Sequence, residues 1–206
     1  MRVPVTFALI AVAVFAGFGR PAAADLASVI DVTFGAFSLP APTSDGLVVC
    51  HGFGCKFRNE VTLTAGDRAT LARLLSAGKA SAAQERRAIA AAGAWFDRRI
   101  AVDAGTVGHQ ARAGYHQMYQ AGQFDCIDAS RNVTGLLVVL VDLGLLRHHA
   151  VAEPVARGYL IDGRPPHVTA VLVESKTGSE WAVDAWTRAY GQAPEIMPLS
   201  RWMELN

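Results

Sequence analysis

The order of apolar patterns along this 206-residue chain predicts an α+β fold, with helices first and a sheet afterwards. Two observations carry this prediction. The stretch from Asp125 to about Leu143 is apolar on nearly every side, which is typical of a buried central helix. The last third of the chain instead alternates or runs β-branched, which is typical of antiparallel strands. We expect the helix to pack on the sheet within one domain spanning 25–206.

The first two dozen residues have the pattern of a signal peptide. Arg2 supplies a short positive start, 7–18 is a run of apolar residues and glycine, and Ala22, Ala23 and Ala24 provide small residues for cleavage. The competing interpretation is a retained membrane anchor, but this run is shorter than the ~20 residues that span a bilayer. We expect cleavage after Ala24 and a periplasmic or secreted protein with no integral membrane segment.

Composition narrows the class of partner. Loss of the leader would remove Arg2 and Arg20, leaving 17 basic residues against 18 acidic ones and a net charge of about −1. Such a chain has no basic field for nucleic acid. No repeat or interdomain linker is visible, so a single domain is expected.

Local signals place the elements before the central helix. We expect an extended arm over 25–45, because Pro40 and Pro42 interrupt it, then short strands at 47–49 and 57–63. Thr64 with Asp67 predicts a helix start, and Gly78 ends that helix. A second helix, predicted from the Ser81 and Gln84 capping pattern, runs to Ile100 and is expected to keep its charged side chains solvated, namely Glu85, Arg86, Arg87, Arg98 and Arg99. A loop or broken helix over 101–123 follows.

Three strands are predicted after the central helix, at 157–162, 167–174 and 180–186. Turn signals at Asp162-Gly163 and Lys176-Thr177-Gly178 separate them. The C-terminal segment through Trp202 is expected to lie across the sheet.

The three cysteines are expected to divide into a pair and a free thiol. An exported protein meets an oxidising compartment, where thiols tend to pair. Cys50 and Cys55 flank two glycines that allow a tight loop, which favours a disulfide between them. Cys126 would then remain free.

Cys126 stands at the predicted start of the central helix, where unpaired backbone N–H groups and the helix dipole favour a thiolate. We therefore expect a lowered pKa for Cys126. Asp125 and Asp128 would partly oppose this shift unless they cap the helix, so a further cation is required.

His167 can supply that cation, and Asp184 can orient it. Both lie on predicted neighbouring strands whose alternate residues point the same way. A carboxylate could then hold the ring nitrogen that does not face the sulfur, completing a nucleophile, base and orienting group. Each residue also has a structural interpretation: an inert core cysteine, a satisfied histidine, and an aspartate that accepts an indole or backbone hydrogen bond.

These residues resemble the transglutaminase-like cysteine peptidase superfamily. The resemblance rests on the order Cys126, His167, Asp184, in which His167 comes 41 positions after Cys126 and Asp184 comes 17 positions after His167. The three residues stand within Phe124-Asp125-Cys126-Ile127-Asp128, Pro166-His167-Val168-Thr169-Ala170 and Trp181-Ala182-Val183-Asp184-Ala185-Trp186. It covers about Gln123 to Trp202 and implies a papain/transglutaminase-like fold. The Cys50 to Cys55 segment is a departure from the superfamily.

The resemblance implies that Cys126 attacks an amide carbonyl of a protein or peptide substrate, His167 moves the proton and Asp184 orients His167. The Cys126 N–H and the side chain of Gln123 would hold the oxyanion, with Gln117 or Trp95 in reserve. Hydrolysis of a peptide or isopeptide bond is favoured over transglutaminase-type cross-linking, and no cofactor is expected.

Two other classes compete with this interpretation. One is a non-catalytic exported binding domain on the same scaffold, with Cys126 buried or disulfide-bonded. The other is a metal site built from Cys50, His51, Cys55, His148 and His149, which the ligand spacing disfavours. The expectation is therefore that the chain holds no metal.

Overall fold

The computed structural model describes residues 25–158 and 165–205, and within them the predicted α+β class is confirmed. The predicted signal peptide and the Asp162-Gly163 turn lie outside the described residues. Five α-helices and two antiparallel sheets occur in the described part, in this order: α1 Leu26–Thr33, β1 Gly46–His51, β2 Phe57–Thr62, α2 Ala65–Ser76, α3 Ala82–Ala104, α4 Cys126–Asp142, β3 His149–Arg157, β4 His167–Glu174, β5 Glu180–Asp184, β6 Glu195–Pro198 and α5 Leu199–Glu204.

The expectation of an extended arm over 25–45 is wrong for its first part. Asp25 caps α1 by accepting a hydrogen bond from the Ala27 N–H, and a 3₁₀ turn at Gly35–Phe37 follows. Val29 and Phe34 are buried in the core. The prolines at 40 and 42 lie beyond the helix, which ends at Thr33, so they do not prevent it.

β1 and β2 form a separate two-stranded hairpin, with Gly46 opposite Thr62 and His51 opposite Phe57. The predicted Cys50–Cys55 disulfide closes its tip. Beyond the hairpin, the predicted capping box joins Thr64 and Asp67 at the start of α2.

α3 begins at the predicted cap, where the Ser81 hydroxyl accepts from the Gln84 N–H, and it runs one turn beyond the predicted end. The expected solvated face is wrong at two positions. Glu85 is only 1% exposed, and Arg86 pairs with Glu174 at 2.9 Å. The guanidinium of Arg86 also stacks 3.5 Å from the centre of the Trp181 ring. These charges are therefore internal supports between α3 and the sheet.

α4 is the predicted central helix and is buried along nearly its whole length. It contacts β1 on one side and β3, β4 and β5 on the other. The Asn132 side chain fixes it to the hairpin by accepting from the Cys50 N–H at 2.9 Å and donating to the Cys50 carbonyl at 2.8 Å. Such paired hydrogen bonds satisfy a polar side chain in the core.

The second sheet has the antiparallel order β3-β4-β5-β6. β4 has the predicted bounds, but β3 begins at His149, eight residues before the predicted strand, and carries an irregularity between Ala152 and Val155. β5 ends at Asp184, two residues early. Trp202 is fully buried on α5, which covers this end of the sheet.

Candidate active site

Cys126 is the first residue of α4, and the cap of that helix fixes its position. The Asp125 carboxylate accepts from the Asp128 N–H at 2.7 Å, as an N-cap does. The residue is half-buried, and the Val168 N–H on β4 favours its thiolate form. Cys126 is the free cysteine of the three, as the sequence predicts.

The disulfide loop braces the same helix start. Gly52, Phe53, Gly54 and Cys55 all have positive φ, between 61° and 79°, so successive N–H groups turn towards one side. Phe53 and Cys55 donate to the two oxygens of Asp128 at 2.8 and 2.6 Å, and Gly54 donates to Asp125 at 2.9 Å. Consecutive N–H groups of this kind form a concave anion site, here filled by the protein's own carboxylates.

The disulfide loop holds the Asp128 carboxylate in the first turn of α4, close to Cys126 in the chain. Burial raises the pKa of Asp128 to about 7, and the negative charge of Asp125 adds to this, although the N–H groups of Cys55 and Phe53 oppose it. Both acids are thus bonded to the helix start and to the loop, but this does not cancel their effect, because the charge of Asp125 still raises the pKa of Cys126.

His167 and Asp184 pair as predicted. Ala170 lies opposite Val183, so Asp184 lies opposite Thr169, which shares the sheet face of His167. His167 Nε2 is 2.6 Å from Asp184 Oδ2. Both side chains are buried, and the His167 ring lies between the indoles of Trp186 and Trp202.

Three hydrogen bonds hold Asp184 in its ionised form. Burial opposes ionisation, but His167, the Trp202 indole at 2.9 Å and the Trp186 N–H at 3.2 Å outweigh it and lower the pKa of Asp184. An ionised carboxylate only accepts, so Nε2 of His167 carries the hydrogen. Whenever the ring is neutral, Nδ1 is therefore the nitrogen without a hydrogen.

The His167 Nδ1 atom is buried and makes no hydrogen bond within the described part of the chain. His167 and Cys126 line the same cleft, of about 400 Å³, which opens between α1, α4 and the sheet. The structure therefore brings Cys126 and His167 to one cleft and places Asp184 behind His167. The two side chains share a cleft but make no hydrogen bond to each other in this structure, and an unpartnered base atom in the cleft of a thiol is what nucleophilic catalysis can use.

The expectation of a lowered pKa for Cys126 is wrong. Burial raises the pKa of this thiol to about 11, and the charges of Asp125 and Asp184 push it in the same direction. The N–H groups of Val168 and Cys126 itself oppose the rise but do not overcome it. The raised pKa of Cys126 therefore comes first from burial and only secondarily from the neighbouring carboxylates.

The predicted oxyanion residue Gln123 lies just before the helix but is not among the residues that line the cleft. Its carboxamide oxygen accepts from the Gln110 N–H at 3.0 Å. The reserve Gln117 is buried, with its oxygen and nitrogen bonded to Gly114 and Gln110, and Trp95 packs against the core. The role of Gln123 stays a prediction.

Sequence reasoning missed polar groups on another wall of the cleft. Thr33, Ser130 and Arg131 line it, and each has a buried polar atom without a hydrogen-bond partner among the described residues. A signal existed for two of them, because Ser130 and Arg131 are polar residues in a helix that the sequence predicts to be buried. Trp202, to which the sequence assigned no role, donates to Asp184.

No helix of the described part is both long enough and apolar enough to cross a bilayer. Nor do the residues described there contain three or more His, Cys, Asp or Glu side chains grouped to hold a metal ion. In comparisons with known proteins, no family model, no curated protein and no solved structure matches the chain.

Proposed function

We propose that this protein is a thiol-dependent acyl-transfer enzyme that hydrolyses a peptide or isopeptide amide bond through Cys126, His167 and Asp184. One observation carries the proposal. His167 has one ring nitrogen fixed by a buried carboxylate, while its other nitrogen lacks a partner and its ring lines the cleft that holds Cys126. The free nitrogen alone is not enough, because His109 beside Asp97 also has one; the cleft shared with Cys126 singles out His167.

The reaction follows from these positions. His167 Nδ1 takes the Cys126 proton as the sulfur attacks the amide carbonyl and a tetrahedral oxyanion forms. The C–N bond then breaks, and Nδ1–H gives its proton to the leaving nitrogen. Water attacks the resulting thioester, again giving a proton to Nδ1, and the acid leaves as the proton returns to sulfur.

Activation in this scheme occurs during attack. A thiol with a pKa of about 11 is not a preformed thiolate, so His167 acts as a general base rather than as the partner of a resting ion pair. Asp184 keeps the Nε2–H tautomer and stabilises the imidazolium that forms.

The oxyanion is assigned to two donors. The Cys126 N–H is at the first position of α4, where a helix leaves its N–H groups without intrahelical partners. Gln123 is the second donor, since the hydrogen bond to its oxygen leaves the carboxamide NH₂ to donate.

The order of the elements supports a papain/transglutaminase-like arrangement: a cysteine heads a buried helix, and the histidine and acid lie on adjacent antiparallel strands. Export to the periplasm or outside the cell is part of the proposal, and the Cys50–Cys55 disulfide supports it because such bonds persist in oxidising compartments.

The test is covalent labelling of the exported protein with N-ethylmaleimide at neutral pH, followed by intact mass. Wild type should gain one label, which Cys126→Ala abolishes and His167→Gln slows by about 10² or more. Equal rates in wild type and His167→Gln, with folding intact, would leave the non-catalytic binding domain as the better account. Hydrolysis and transfer to an amine are distinguished in a separate reaction with a peptide substrate, by adding a primary amine and asking whether the product is the free acid or the amide of that amine.

A further inference from the structure

We propose that Thr33, Ser130 and Arg131 form a carboxylate subsite, so that the substrate carries a carboxylate close to the bond that Cys126 attacks. This inference rests on the proposed function and specifies its substrate class.

Arg131 is a buried cation whose charge has few direct partners in the described structure. The residue is 5% exposed, its Nε donates to the Thr33 carbonyl at 2.9 Å, and its guanidinium lies 3.6 Å from the centre of the Phe37 ring. Its Nη1 has no hydrogen-bond partner, and no carboxylate forms an ion pair with it within the described residues. Asp125 and Asp128 favour its charge from a greater distance, but both are bonded to the disulfide loop.

Two hydroxyl groups on the same wall of the cleft also lack a hydrogen-bond partner. Ser130 Oγ and Thr33 Oγ1 are buried and unpartnered in the described structure, and both residues line the cleft. Buried polar groups without partners cost free energy, so several in one wall of one cleft call for a shared ligand. A carboxylate fits, because it accepts from a guanidinium and from a hydroxyl at once.

The position of the subsite fixes where that carboxylate lies in the substrate. Ser130 is four residues after Cys126 on the same face of α4, or about 6 Å along the helix axis. This distance exceeds one Cα–Cα step of ~3.8 Å only modestly. The carboxylate is therefore an acidic side chain or a chain terminus within one or two residues of the attacked carbonyl. Among the described residues, Arg131 and His167 are the titratable side chains besides Cys126 that line the cleft.

The test compares two maleimides of matched reactivity, 3-maleimidopropionic acid and 3-maleimidopropionamide, by their rates of Cys126 labelling. In the acid, several bonds separate the carbon that Cys126 attacks from the carboxylate, so the carboxylate can reach a subsite one or two residues away. Wild type should react about tenfold faster with the acid, because a charge-assisted hydrogen bond is gained. The ratio should fall to one or below in Arg131→Gln and be partly kept in Arg131→Lys.

Arg58→Gln is the matched control, because Arg58 is an exposed cation that acts on Arg131 electrostatically without lining the cleft. It should leave the ratio unchanged. Should Arg131→Gln fail to fold, Ser130→Ala provides the second variant and should lower the ratio by a smaller factor. A ratio of one in folded wild type would overturn the subsite. N-ethylmaleimide labelling reports Cys126 separately, so the proposed function could stand when the subsite fails.

Competing peptides identify the source of the carboxylate. Acetyl-Ala-Glu-Ala-amide and acetyl-Ala-Gln-Ala with a free C-terminus are compared for slowing of labelling by the acid. Protection by the first assigns the subsite to acidic side chains, and protection by the second assigns it to chain termini. Protection by neither would overturn a peptide carboxylate as the ligand.

Discussion

Two histidines on neighbouring strands of the same sheet each pair with a carboxylate, and the pairs differ at the second ring nitrogen. His149 Nδ1 is 2.7 Å from Glu85, and His167 Nε2 is 2.6 Å from Asp184; both histidines are buried. The second nitrogen of His149 is 3.1 Å from Arg86, whereas the second nitrogen of His167 has no partner in the described structure. The pair itself does not distinguish a structural histidine from a reactive one. A free opposite nitrogen does so only together with a shared cleft, because His109, paired with Asp97, also has a buried Nδ1 without a partner in the described structure but lines a pocket without a thiol.

The carboxylates differ in the same way. Glu85 accepts from the Arg147 and His148 N–H groups at 2.6 and 2.9 Å and thereby holds the chain entering β3. Asp184 accepts from the indole of Trp202 and so fixes the surroundings of a ring that reaches the cleft. We therefore expect the first pair to govern stability and the second to govern reactivity.

Exchange of each histidine for glutamine should affect a different property: the labelling rate for His167 and the free energy of unfolding for His149. This is the largest difference expected. His167→Gln should slow Cys126 labelling by about 10² to 10⁴, because the base is lost. His149→Gln should leave the labelling rate within a few-fold and lower the free energy of unfolding. Labelling rates and denaturant curves on both variants measure this. Similar labelling rates in the two variants would contradict the assignment of reactivity to His167 alone.

Removal of Glu85 should cost the most stability. Glu85→Ala leaves two backbone N–H groups and the His149 ring without their acceptor, so a loss of about 3–5 kcal/mol in the free energy of unfolding is expected. Urea unfolding measures it. Arg87→Ala, a change of a neighbouring charge on the same helix, serves as the control and should change stability little; an equal loss in both would deny Glu85 this role.

The free energy of unfolding should depend on pH through the Glu85 carboxylate. Burial opposes ionisation of Glu85, but hydrogen bonds from His149, Arg147 and His148 outweigh it and lower its pKa below 4.5. Because the folded pKa is depressed, this stabilisation is present above pH 4.5 and is lost as the pH falls through the folded value. Wild type should lose more stability between pH 6 and 3 than Glu85→Gln does. Parallel losses would contradict the assignment.

Loss of the disulfide should have the smallest effect on stability and should act on the reactive region. Cys50→Ser with Cys55→Ser removes a short closed loop, which is worth about 2 kcal/mol in the chain-entropy account. The loop also donates to Asp125 and Asp128, so the rate of Cys126 labelling should change as well. Thermal unfolding and labelling of the double variant test this; an unchanged labelling rate would mean that the loop does not position Cys126.

Local signals in the sequence were sufficient for much of this structure. Thr64, Ser81 and Asp125 cap the helices that they were predicted to start, and the glycines between Cys50 and Cys55 allowed that disulfide to be predicted. The pairing of His167 with Asp184 followed from period-two alternation. Each of these depends on neighbours along the chain or on adjacent strands.

What could not be predicted depends on partners far along the chain. His149 looked like part of a polar connection because its counterpart, Glu85, lies 64 residues away. The free Nη1 of Arg131 and the raised pKa of Cys126 are consequences of burial and of assembled charges, which a one-dimensional pattern does not contain.

The most direct test of the account is the pH profile of Cys126 labelling by N-ethylmaleimide in wild type and in His167→Gln. The variant should react slowly at neutral pH and speed up about tenfold per pH unit up to pH 10, because its thiol has a pKa of about 11. Wild type should be faster by about 10² or more at pH 7, with a shallower slope, because His167 supplies the base. Superimposable profiles would contradict the claim that His167 activates Cys126.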